Sequence, residues 1–242
     1  MSSLFVGTSG WSYKEWRTGF YAGVPQKGWL EHYASVFRAV ELNGTFYRAA
    51  RPVMLERWCE ATPSSFVFTA KGHRVTTHYR QLKEAAGDVV RQRDLLAPLG
   101  GRLAAVVWQL PARLKADVAR LEAFADALRA WSSTHHAIEF RDASWFVPEV
   151  EALLSRHRLA NVVSDAPTFP CWDRDTTDLT YIRLHGHERL YRSPYSDAAL
   201  EVWTARCRKA LDAGHDVHVY FDNTDEGVAP FDAQKLCRLI EA

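Results

Sequence analysis

Leu179-Thr180-Tyr181-Ile182-Arg183-Leu184-His185 begins as an apolar, β-prone run and ends in a guanidinium and an imidazole. The same design recurs at roughly thirty-residue spacing along the chain, a period that suits one strand plus one crossover helix. The other polar ends read Thr8-Ser9-Gly10, Glu41-Leu42-Asn43, Lys71-Gly72-His73, Gln109-Leu110-Pro111, Glu139-Phe140-Arg141, Ser164-Asp165 and Asp222-Asn223. Eight such runs in 242 residues predict a single-domain (β/α)8 TIM-type barrel over residues 1–242. In that fold the chemistry sits at the C-terminal ends of the strands, where these polar residues fall.

Strands are expected at Leu4 to Gly7, Ala39 to Leu42, Phe66 to Ala70, Leu103 to Gln109, Ala137 to Phe140, Asn161 to Ser164, Leu179 to Leu184 and Val217 to Phe221. Their near-continuous apolar character suits a parallel sheet covered by helices. Leu121, Phe124, Leu128 and Trp131 fall three or four apart, as do Leu200, Trp203, Cys207 and Leu211, so each set makes one apolar helix face. Ser196 or Asp197 can cap the second helix and Gly214 can end it, while Pro148 and Pro230 suit first turns. The long irregular stretches, Thr8 to Gly28, Gly72 to Gly87, Ala166 to Asp178 and Gly186 to Ser196, all follow strands and are rich in aromatic residues. They should lie over one barrel face, mostly as a packed lid, with one or two rings free to stack on a ligand.

Composition narrows the function. Lys plus Arg number 30 and Asp plus Glu 29, so no basic field of the kind that drives non-specific nucleic-acid binding shows in the totals. The cysteines, Cys59, Cys171, Cys207 and Cys237, form no C-x-x-C pair, against a zinc ribbon or disulfide framework and for a reducing cytoplasm. No signal-peptide pattern follows Met1, and the longest apolar run, Leu103 to Trp108, is too short to span a bilayer, so no membrane association is expected. Gly7-Thr8-Ser9-Gly10 is neither a dinucleotide fingerprint nor a P-loop, there is no G-x-S-x-G elbow, and no cofactor is called for. His78, His135, His136 and His215 lack metal spacing and read as surface or packing residues.

Side-chain alternation places Glu41 with Asn43, Thr69 with Lys71, Val107 with Gln109, Glu139 with Arg141, Val163 with Asp165, Arg183 with His185 and Tyr220 with Asp222. If these faces point inward, Glu41, Glu139, Asp165 and Asp222 meet Lys71, Arg141 and Arg183, with His185 able to titrate. A salt-bridge plug is one reading, but apolar residues would fill a barrel at lower cost, so a substrate pocket is favoured. His185-Gly186-His187 resembles short ligand pairs of metal hydrolases; against that, three neighbouring cations repel a metal.

Together these segments resemble the family known as domain of unknown function seventy-two. The resemblance rests on Gly7-Thr8-Ser9-Gly10-Trp11 with Tyr13 and Trp16, Val40-Glu41-Leu42-Asn43 with Thr45-Phe46-Tyr47, Lys71 with Thr77-His78, Gln109-Leu110-Pro111 and Glu139-Phe140-Arg141 with Ser144-Trp145. It continues through Asp165, Tyr181-Ile182-Arg183-Leu184-His185-Gly186 and Val219-Tyr220-Phe221-Asp222-Asn223, nearly the whole chain. The resemblance implies a TIM-type barrel and no particular reaction. Asp222 stands where the family often shows Asn, and Gly44 where it often shows Ser.

The expectation is a cofactor-independent enzyme working by acid/base chemistry on a small anionic substrate, a phosphate or carboxylate. Glu41 and Glu139 are candidates for proton transfer, with Asp165 and His185 beside them. Arg141, Arg183 and Lys71 would hold the anion, Asn43, Gln109 and Asn223 would orient the substrate, and Trp11, Tyr47, Tyr191 and Asp222 would line its pocket. The alternatives are a metal-assisted hydrolase or isomerase using His185, Asp165, Glu139, Glu41 and Asp222, and a non-catalytic module binding nucleic acid or protein on its aromatic face. Oligomeric state is not legible.

Overall fold

A computed structural model describes residues 2–242. Its strands are β1 Leu4–Thr8, β2 Ala39–Leu42, β3 Val67–Lys71, β4 Leu103–Gln109, β5 His135–Glu139, β6 Leu159–Asp165, β7 Leu179–Leu184 and β8 Asp216–Phe221. All pair in parallel, in the order β1-β8-β7-β6-β5-β4-β3-β2. The remaining seam, between β1 and β2, is closed by a bridge from Ser9 to Glu41 and by Gly10 N–H donating to Glu41 O at 2.8 Å. Gly7 makes that approach feasible, because a Cβ there would lie 2.1 Å from Ala39 O. The barrel is therefore nearly a closed ladder, with its last joint made at the level of a buried carboxylate.

Among the described residues seven α-helices follow the strands: α1 Trp29–Val36, α2 Pro52–Glu60, α3 Ala86–Leu96, α4 Val118–Leu128, α5 Pro148–Arg156, α6 Asp197–Asp212 and α7 Ala229–Glu241. The apolar faces expected of α4 and α6 are buried at Leu121, Phe124, Leu128, Leu200 and Cys207. Trp131 is buried too, one short 3-10 turn past α4. Ser196 is the α6 cap, its hydroxyl accepting from Ala199 N–H at 3.2 Å, and Pro148 and Pro230 begin α5 and α7.

Between β6 and β7 the crossover, residues 166–178, carries no helix. Hydrogen bonds and rings take its place. Asn161 donates to Trp172 O at 2.8 Å and Thr176 to Leu159 O at 2.7 Å, pinning the loop to the outer face of β6. Trp172 then stacks on Phe146 at 5.0 Å, while Phe140 stacks on Trp145 at 5.1 Å. These four rings cover apolar area that a helix would otherwise shield.

Residues paired across a parallel ladder share a face, so register fixes what points inward. The lower interior holds Ala39, Ala105, Val107, Ala137, Ala160, Val162, Leu179, Tyr181 and Tyr220, with Phe5 and Val67 against them. Above this layer the interior turns polar. Glu41 pairs in register with Thr69, Gln109 with Glu139, and Ser164 with Arg183. Strand β6 thus presents Val162 and Ser164 to the interior, and Asp165, beside Leu184, faces the helices. The expected inward pairing of Val163 with Asp165 is off by one residue. Its basis was the polar strand end, whereas the register follows Ser164.

Candidate active site

Arg183 is the centre of the mouth and is wholly buried. Its Nη2 lies 2.6 Å from Glu41 Oε1 and 3.1 Å from Asp222 Oδ2, its Nη1 2.7 Å from Glu139 Oε2, and its Nε 3.0 Å from Glu41 Oε2. Each nitrogen of the guanidinium fork is taken by a carboxylate, which suits its planar donor geometry. Burial disfavours the charge, but Glu139, Glu41 and Asp222 outweigh it and hold the Arg183 pKa well above the ordinary value.

The carboxylates are equally committed. Glu41 also accepts from Ser9 Oγ and from Tyr181 OH, both at 2.7 Å, and Tyr181 OH lies 3.0 Å from Thr69 Oγ1. Glu139 accepts from Arg141 Nε at 2.7 Å and Ser164 Oγ at 3.0 Å. Burial works to raise the Glu139 pKa, yet Arg141 and Arg183 hold it well below the usual carboxylate range. Asp222 is likewise brought down to about 2 against its burial, chiefly by Arg183 and then His185. His185, fully buried, sits between them, Nε2 3.3 Å from Glu139 Oε1 and Nδ1 2.9 Å from Asp222 Oδ2. The Nδ1 approach is close in distance without the alignment of a full hydrogen bond.

Three carboxylates thus face two guanidiniums, and Lys71 supplies the balancing charge from outside ion-pair distance. No carboxylate oxygen among the described residues lies within 4.0 Å of Lys71 Nζ, which instead stands 4.3 Å above the Phe46 ring. Burial, and secondarily the charge of Arg183, lowers the Lys71 pKa to about 8. Arg141 Nη1 also has no partner among the described residues, and its guanidinium lies 3.7 Å from the Phe169 ring centroid. Phe169 and Tyr191 both meet His185 edge-on, at 5.3 and 5.7 Å. His78 meets Phe46 at 4.9 Å from a π-helical turn, Val75–Tyr79, and burial and then Lys71 lower its pKa to about 4.

The structure thus brings together Glu41, Glu139, Asp222, Arg141, Arg183, His185 and Lys71. It places others apart. Asp165 is directed outward, with His187 Nδ1 3.6 Å from its Oδ2. Asn223 Nδ2 donates to Asp232 Oδ2 at 2.8 Å and Ser193 O at 2.9 Å, tying the 186–195 loop to α7, while its buried Oδ1 has no partner among the described residues. Gln109 ends β4 in register with Glu139. Trp11, Asn43 and Tyr47 line a separate cleft of about 850 Å³ with Tyr13, Thr45, Arg48, Arg51 and Trp58. This cleft adjoins the ring through Thr45, whose hydroxyl donates to Lys71 O, and none of the ring's own charged residues lines it. Sequence reasoning overlooked Ser9, Tyr181 and Ser164 as carboxylate partners, although Tyr181 stands two positions before Arg183 and so shares its face. His78, expected as a surface or packing residue, packs edge-on against Phe46.

A parallel (β/α)8-type barrel whose C-terminal mouth encloses a buried Arg–carboxylate cluster defines the class. The chain belongs to the family described as Protein of unknown function DUF72, whose sequence profile matches residues 5–242. A UPF0759 protein, YunF of Bacillus subtilis, is similar at 24% identity over 98% of this chain and 95% of its own length. Another, YecE of Escherichia coli K12, is 29% identical over 63% of this chain and 54% of its own. Among solved structures, a DUF72 family protein from Thermotoga maritima superposes with a TM-score of 0.89 at 28% identity, covering 99% of this chain and 100% of that one. One from Enterococcus faecalis gives 0.84 at 19%, covering 99% and 96%. No helix among the described residues is long and apolar enough to cross a membrane.

Proposed function

We propose that the protein is an enzyme that moves protons on a small substrate carrying a phosphate or carboxylate group at the barrel mouth. The observation that supports this reading is the pair of cations the carboxylates leave available, Lys71 Nζ and Arg141 Nη1. Arg141 anchors the anion, because a guanidinium edge gives charge-assisted bonds to oxygen. Lys71, with a pKa of about 8, is the group able both to give and to take a proton near neutrality.

Arg183 has no free donor edge for an anion, so its part is to fix Glu41, Glu139 and Asp222 in place. Glu139, held ionised, is a weak base and no acid, and both oxygens of Glu41 are occupied. Proton transfer therefore moves from these two residues to Lys71. A divalent ion shared by Glu41, Glu139, Asp222 and His185 would have to displace the Arg183 guanidinium already lying among them, which favours the acid/base reading over a metal-assisted one.

Thermal unfolding with inorganic phosphate or acetate as probe tests the anchor. Either anion should raise the melting temperature of the native protein and fail to do so in Arg141→Met. Equal stabilisation of both proteins would refute the assignment. On the binding-module alternative, single-stranded nucleic acid should instead bind with steep salt dependence.

A further inference from the structure

Lys71 is held as a reactive group is held. It is the last residue of β3, and its carbonyl accepts from Thr45 Oγ1 at 2.7 Å and Gln92 Nε2 at 3.3 Å. The next residue, Gly72, packs so close to the Trp108 ring that a Cβ would lie 2.3 Å from Cε3, and its N–H donates to Val107 O at 2.8 Å. The backbone is fixed from both sides. The side chain is buried, Nζ stands over the Phe46 ring with no carboxylate oxygen among the described residues inside 4.0 Å, and the ring carboxylates are spent on arginines. A lysine serving only as counter-charge would sit against an oxygen.

We propose that Lys71 is a nucleophile that condenses with the carbonyl carbon of a small anionic aldehyde or ketone to form an imine, with Arg141 holding the anionic group. The proposal rests on the anchor assigned above and names the covalent chemistry of the same site. The amine lone pair forms the C–N bond while the carbonyl π pair moves onto oxygen. Both hydrogens of the neutral amine then leave with that oxygen as one water, and uptake of one proton on nitrogen gives the iminium. No oxidant or reductant takes part. Desolvation and a neighbouring cation are the two devices that free a lysine amine for such attack. Here they leave about 300-fold more free amine at neutral pH than an ordinary lysine has.

The test uses the intact chain with pyruvate and glycolaldehyde phosphate as probes and cyanoborohydride to trap the imine. Peptide analysis, which separates Lys71 from an α-amino group titrating in the same range, should show an adduct on Lys71 forming with a pH midpoint near 8. Surface lysines should react only at higher pH. Lys71→Arg, which keeps the charge, should remove the adduct, and Arg141→Met should slow labelling by the anionic probes without slowing labelling by acetaldehyde. An unlabelled Lys71, or labelling at the pace and pH midpoint of surface lysines, overturns the proposal, and this readout on the native protein does not depend on any variant folding. If phosphate still stabilises the protein through Arg141 while no adduct forms, the anchor stands and the imine falls. If adduct forms equally in Arg141→Met with the anionic probes, the anchor falls and the nucleophile stands.

Discussion

Replacing Arg183 with Met preserves volume and removes all the charge that Glu41, Glu139 and Asp222 share. Glu139 keeps Arg141, but Glu41 is left with the Ser9 and Tyr181 hydroxyls and Asp222 with His185. Breaking a buried ion pair by deleting one partner costs about 3–5 kcal/mol, and here the deleted partner is shared. At about 2–4 °C per kcal/mol for a chain of this size, the melting temperature should fall by roughly 6–20 °C. The loss should depend on pH in a specific sense. In the native protein Glu139 and Asp222 have depressed folded pKa values, so their stabilisation is present above the unfolded carboxylate range and is lost as pH falls through the folded values, about 2 for Asp222. In the variant Asp222 is buried without its guanidinium and Glu139 keeps Arg141 alone, so their pKa values rise and acid relieves them. The stability gap measured by urea unfolding should therefore narrow from neutral pH to about pH 4. A loss below about 1 kcal/mol, the range of an exposed pair, or a gap that widens in acid, would show that Arg183 does not carry the ring.

Three further outcomes are expected. His136 accepts from Trp108 Nε1 at 3.2 Å and has its other nitrogen 2.9 Å from Trp131 O; burial lowers its pKa to about 4, so stability is full above the unfolded histidine pKa and declines as pH falls toward 4. His136→Gln, which can keep both bonds, should flatten that slope in urea titrations, and an unchanged slope would count against it. Gly72→Ala should cost about 1–3 kcal/mol by overpacking Trp108, and a variant as stable as the native protein would contradict the contact. Ser164→Ala should cost about 1.5–3 kcal/mol through its bond to Glu139, whereas Asp165→Asn should leave phosphate binding unchanged; the reverse pattern would restore Asp165 to the interior.

Much of this was legible in the chain. The runs at Ala39–Leu42, Leu103–Gln109 and Leu179–Leu184 coincide with β2, β4 and β7, because short apolar stretches ending in charge have few other uses. The ring members Glu41, Glu139, Arg183, His185 and Asp222 follow from alternation along single strands. Two things did not follow. Facing at the end of β6 depends on which residue pairs with Arg183, a relation between strands that one strand's composition does not contain. Which cation is spent and which is free depends on the reach of side chains from different strands, so Lys71 and Arg183 look alike in sequence and behave oppositely in the fold.

The joint between β1 and β2 gives this barrel an unusual constraint on its own divergence. Glu41 closes the seam through its backbone and anchors Arg183 through its side chain, and the 850 Å³ cleft bounded by Gly10, Trp11, Leu42 and Asn43 opens directly over that joint. Trp11, Tyr47, Arg48, Arg51 and Trp58 make none of the seam's bonds and can vary without touching closure, whereas Gly10 donates one of them. A change of the Glu41 side chain would leave the backbone joint in place but strip Arg183 and the Ser9 hydroxyl beside that joint of their carboxylate. Substitutions should therefore accumulate at positions 11, 47, 48, 51 and 58, while Glu41 and its arginine change only together.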